Sequence, residues 1–156
     1  MADYIQAFKK GLEAAEPADR AGKEIDSVFE DLDRQIRAGT EGRIGIKRQE
    51  FIIQRMPFTA QKLEDLITPK ETYWAIVAYN PQITSSPVKE LSRWRHNRAG
   101  YPCKISWGGM EHTCEDKRSL ENVLGRLLGD PLVGETLHVL MQVKEKTSGK
   151  ELGDKG

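Results

Sequence analysis

Apolar positions in the first forty residues recur at three-and-four spacing. In "DYIQAFKKGLEAAEP" they are Ile5, Phe8, Leu12 and Ala15, with Asp3 placed to cap the first turn. Pro17 interrupts the pattern, and "ADRAGKEIDSVFEDLDRQIRAG" resumes it with Ile25, Val28, Phe29, Leu32 and Ile36 on one stripe, ending at Gly39. Two amphipathic helices are expected, an arm or hairpin over residues 1–41. The second stripe must be covered by the rest of the chain or by a second copy, because isolated helices of this length are marginal in water.

Beyond "TEG" the period shortens. Arg43 to Lys47 alternate as a half-buried strand does, and "EFIIQ" either extends that strand or begins another element. "TAQKLEDLI" reads as a short helix closed by Pro69. "TYWAIVAYN" is apolar on both faces and rich in aromatic and β-branched types, which suits a central strand. In "SSPVKELSRWRHNRAG", Ser86 as N-cap, Pro87 at the first position and Val88, Leu91 and Trp94 on one side predict a helix. Two further helices follow: one burying Leu120, Val123, Leu124, Leu127 and Leu128, the other beginning at Asp130 and Pro131 and burying Leu132, Val133, Leu137, Leu140 and Met141. The tail 144–156, glycine-rich and charged, is expected to be disordered. The predicted fold class is therefore α+β: a small, mostly antiparallel sheet covered by helices in a compact domain over 42–143, with the helical arm preceding it.

Between the last predicted strands, "YPCKISWGGMEHTCED" centres a two-residue turn on Gly108 and Gly109. That turn fixes the pairing: Trp107 faces Met110, Ile105 faces His112 and Cys103 faces Cys114. Alternation then puts Cys103, Ile105, Trp107, Met110, His112 and Cys114 on one face and Lys104, Ser106, Glu111 and Thr113 on the other. Two packed free thiols are the expected outcome. A soft metal site at Cys103, His112 and Cys114, with His96 or His138 as a fourth ligand, is an alternative, but the close pair C-x-x-C is missing. A cysteine nucleophile would lack a base within reach, and a disulfide at this pair would be strained.

Charge adds an asymmetry to the pattern. Lysines and arginines number 24 and aspartates and glutamates 24, so no global field selects a polyanion. Yet residues 1–41 carry ten acids and six bases, whereas 42–109 carry five acids and eleven bases. Part of that excess lies at Arg93, Arg95, Arg98 and Lys104 around Trp94, a grouping able to bind phosphates and stack bases. Phosphate-binding loops, dinucleotide fingerprints and helical H-E-x-x-H motifs are all absent from the sequence. No small-molecule ligand or cofactor is expected. Neither a signal core nor an apolar run of membrane length occurs, and the expected compartment is cytoplasmic.

The leading functional expectation is a non-enzymatic interaction or assembly module, self-associating or docking on a protein partner through Ile25, Val28, Phe29, Leu32 and Ile36. An accessory protein of bacterial or prophage origin would fit, although no motif carries that origin. Nucleic-acid binding at the basic segment is the first alternative. A metal protein or cysteine-dependent enzyme is the second.

Overall fold

A computed structural model describes residues 2–53 and 71–144. Helix α1 (Tyr4–Gly39) leads into a sheet of five antiparallel strands, β1 (Gly45–Ile52), β2 (Thr72–Tyr79), β3 (Lys89–Asn97), β4 (Gly100–Trp107) and β5 (Met110–Cys114). Helices α2 (Lys117–Leu128) and α3 (Pro131–Gln142) complete the described chain. Strand order follows sequence order, β1-β2-β3-β4-β5, and every neighbouring pair is antiparallel. The α+β class is as expected. The predicted helix over "TAQKLEDLI" and the predicted disordered tail, apart from its first residue, lie outside the described residues.

Two elements differ from expectation. Pro17 does not divide the N-terminal region; α1 is one helix of 36 residues. A proline there removes only its own N–H bond to the preceding turn. Glu13, which loses that bond, is exposed, so water can take its carbonyl. Asp3 caps the start as predicted, its Oδ1 accepting from the Gln6 N–H at 3.1 Å. The left-handed residues that end the helix are Glu41 and Gly42 rather than Gly39.

The second difference is larger. Residues 89–97 form β3, not a helix. Ser86 caps nothing there; its Oγ accepts the Asn80 N–H at 2.9 Å in the connection after β2. A strand at this position satisfies the backbone groups of β2 on one side and β4 on the other, and tertiary pairing overrides the local cap signal. Leu91 is the extra residue of a bulge opposite Ile76 and Val77, which explains how Leu91 and Trp94, three apart, are both buried.

The β4–β5 hairpin has the predicted register throughout, from Trp107↔Met110 to Cys103↔Cys114. Gly108 and Gly109 both have positive φ, 59° and 78°, the signature of a type I′ turn. β2 is also as expected, with Ala75, Ile76, Val77 and Ala78 fully buried.

One face of the sheet carries the main core. α1 packs on β1 and β4, and α2 and α3 pack on β5, β2 and β3. Ile25, Val28 and Phe29 of α1 join Ile44, Ile46, Ile76, Trp94, Ile105, Leu120 and Leu140 in one cluster. Each large aliphatic or aromatic side chain so buried contributes about 1.5–3 kcal/mol. Leu132 is an exception to the pattern: expected in the core, it is 70% exposed, while Val133 and Leu140 of α3 are buried. The tightest contact in this packing lies where Gly100 opens β4. A β-carbon there would stand 2.4 Å from Ala21 Cβ, and φ is 92°.

Gly100→Ala therefore combines backbone strain with a collision against α1 and should destabilise the protein by about 2–4 kcal/mol in chemical denaturation. Gly109→Ala, at positive φ but in open space, should cost only about 1 kcal/mol. Equal costs would show that α1 is not seated at Gly100.

Candidate functional site

The two halves of α1 meet different surroundings. From Ala21 onward the helix crosses the sheet. Tyr101 Oη donates to Glu24 at 2.8 Å, Asp26 pairs with Arg48 at 2.6 Å, and Asp33 Oδ1 accepts the Ile46 N–H at 2.8 Å. Near its end Arg37 donates to Tyr79 Oη at 2.6 Å. These ties run from the start of β4 to the start of β1 and the end of β2, a diagonal. Ile25, Val28 and Phe29 are thereby buried inside this chain, with Leu32 and Ile36 half-buried against the same core. The stripe expected to meet a partner faces the sheet instead.

Among the described residues the first half has no such seat. Tyr4, Ile5, Phe8 and Leu12 are 80%, 68%, 65% and 55% exposed, an apolar stripe on a helix that extends past the Ala21–Gly100 contact. Sequence reasoning recognised this stripe but gave the partner-facing role to the later one. Pro17, which marks where the two environments divide, was the available signal.

Among the described residues, the diagonal also leaves a corner of the inner sheet face uncovered. There Arg48 of β1 lays its guanidinium over Phe29, 4.3 Å from the ring centroid, and 5.5 Å from that of Trp94. Phe29 meets Trp94 edge-on at 5.1 Å, and His96 meets Trp74 edge-on at 5.7 Å. The result is a groove of about 580 Å³ with an aromatic floor and the carboxylates Asp26, Glu30 and Asp33 along its helical wall. Sequence reasoning missed it. The one hint was Arg48 following Ile44 and Ile46 at positions where the alternation calls for an apolar side chain.

Because 89–97 is a strand, Arg93 and Arg95 share a face that helical geometry would have split, and Trp94 points away from them into the core, 4% exposed. Lys104 lies directly across from Arg95. The outer face thus gathers three of the four predicted cations; Arg98 sits apart in the β3–β4 turn. Arg93 covers the Tyr73 ring at 3.6 Å and pairs with Glu90 at 3.5 Å. Arg95 and Lys104 both reach Glu111, at 4.0 and 3.4 Å. Acids on the same face therefore offset much of the cluster, and Trp94 is not available to stack on a base.

Cys103 and Cys114 are free and fully buried. They share a hydrogen bond, and this bond together with burial pushes the Cys103 thiol well above the usual range. The same bond lowers Cys114, helped by Arg126 and opposed by burial. His112 turns elsewhere: its ring stacks on Trp107 at 4.3 Å and its Nδ1 accepts from Arg126 Nη2 at 3.0 Å. Among the described residues, no group of three or more His, Cys, Asp or Glu side chains is arranged to hold a metal ion, and no helix is long and apolar enough to cross a membrane.

Tyr101 is likewise pushed upward, by desolvation and by its bond to Glu24. For Tyr101 the folded protein keeps a proton that the unfolded chain releases above about pH 10. Its contribution is complete below that value and is lost as pH rises further. Denaturation midpoints should accordingly fall from about pH 10 upward, and Tyr101→Phe should flatten that fall. Thiol-reactive reagents at neutral pH should modify Cys103 and Cys114 only at the rate of unfolding; rapid labelling of the native protein would contradict the burial. No protein-family model matches this chain, and neither a curated protein nor a solved structure does.

Proposed function

We propose that this protein is a non-enzymatic interaction module whose docking element is the free first half of α1. The observation that carries this reading is the exposure of Tyr4, Ile5, Phe8 and Leu12 on one side of a helix whose second half is fixed to the sheet. Contiguous exposed apolar side chains of this size mark contact surfaces. An amphipathic helix presenting anchors at three-and-four spacing is a recurrent way of filling a groove on another protein. Rooting the arm in a folded domain holds its first residues in one direction and reduces the ordering cost of docking.

Nucleic-acid binding is a second reading, favoured by the placement of Arg93, Arg95 and Lys104 on one sheet face beside Tyr73. Three cations partly offset by Glu90 and Glu111 would support only weak binding that salt readily abolishes. A mobility shift at low salt that Arg95→Glu removes would support it.

For the leading reading, Phe8→Glu/Leu12→Glu in the full chain is the direct test. These side chains lie outside the core, so the variant should melt within about 0.5 kcal/mol of the parent. Its association, read by sedimentation equilibrium up to high micromolar concentration, should be lost. A parent that stays monomeric and captures no protein partner would overturn the reading.

A further inference from the structure

An arm with exposed apolar side chains and a groove with an exposed carboxylate, Glu30, beside aromatic side chains belong to one chain. The arm offers Phe8 and Leu12 flanked by the cations Lys9 and Lys10. The groove offers Trp74 and the Arg48 guanidinium that covers the buried Phe29 ring, between the carboxylates of its helical wall and Lys47 of β1. Within that wall Asp26 is paired with Arg48 and Asp33 with Arg37, at 2.6 and 2.8 Å, while Glu30 is exposed beside them. Resting on the reading of α1 as a docking element, we infer that the partner of the arm is a second copy of this chain, whose groove receives it.

The arm cannot fill the groove of its own chain. α1 is a single helix, and its residues from Asp26 to Asp33 already form the wall of that groove. The 17 residues from Tyr4 to Arg20 extend about 25 Å in the other direction, past Ala21 and Gly100. Only another molecule can bring an arm there. Seated in the groove, Phe8 and Leu12 lie against Trp74 and the Arg48 guanidinium, and Lys9 or Lys10 reaches Glu30. A groove of about 580 Å³ has the size of a site for a few large side chains. Pairing the arms with one another instead would leave this groove open.

A contact between two different patches of identical chains has a property that a self-pairing patch lacks: each patch can be inactivated separately and the two variants mixed. Phe8→Glu/Leu12→Glu removes the arm and leaves the groove. Glu30→Lys, at an exposed position, and Trp74→Ala remove charge and floor from the groove and leave the arm. Each variant alone should associate at least tenfold more weakly than the parent. Mixed in equal amounts, the arm variant and the Glu30→Lys/Trp74→Ala variant should form a 1:1 heterodimer through the one intact arm and the one intact groove. Lys9→Glu/Lys10→Glu should weaken association, and adding Glu30→Lys to it should restore much of the loss. Thermal melts of each variant verify folding, and the charge pair keeps the test decisive if Trp74→Ala unfolds. Should the groove variants associate like the parent while the arm variant does not, this inference fails and the arm docks elsewhere. If the parent itself is monomeric and captures no protein partner, the reading of the arm fails with it.

Discussion

The seat of α1 across the sheet is the constraint on which the other features depend. It is held at one end by van der Waals contact, Ala21 against the bare α-carbon of Gly100, and toward the other by Asp33, whose carboxylate accepts the Ile46 N–H on an edge strand. The first fixes how near the helix comes and the second fixes where along the strand it stops. Between them lie Ile25, Val28 and Phe29, whose burial supplies the free energy. A helix laid at this angle cannot cover all of a five-stranded face. It leaves one corner to α2 and α3 and the opposite corner to solvent, and that opposite corner is the groove.

The same angle accounts for the arm. Past Gly100 none of the described strands lies beneath α1, and its apolar positions continue at helical spacing, exposed. One continuous helix therefore closes a core with its second half and leaves apolar side chains exposed on its first. The chemistry of the two stripes differs little; only the presence or absence of the sheet distinguishes them. The core consequently runs across residue 41, where composition and charge had placed a boundary.

Much of this was legible where local geometry decides the outcome. Gly108 and Gly109 permit one tight turn, the alternation on both sides permits one register, and the position of both sulfurs follows. The apolar run of β2 and the Asp130–Pro131 start of α3 were equally readable, and the structure shows Asp130 accepting from the Leu132 N–H. Residues 89–97 were misread because Ser86-Pro87 has the chemistry of a helix start and Leu91 and Trp94 fall three apart. A bulge at Leu91 produces that spacing in a strand, and no local signal announces a bulge. In retrospect, the alternation of Ser92, Trp94 and His96 with Arg93 and Arg95 carried the strand's period. The groove was not legible at all. Arg48, Trp74, His96 and Glu30 come from four elements, and only the crossing angle of α1 brings them together.

The buried Asn80 side chain carries a further implication. Its Nδ2 donates to the carbonyl of Leu140 at 3.2 Å, a bond spanning sixty residues from the end of β2 to the last turns of α3. Removing either partner would leave the other's polar group buried without a match, so this one amide fastens the final helix to the second strand.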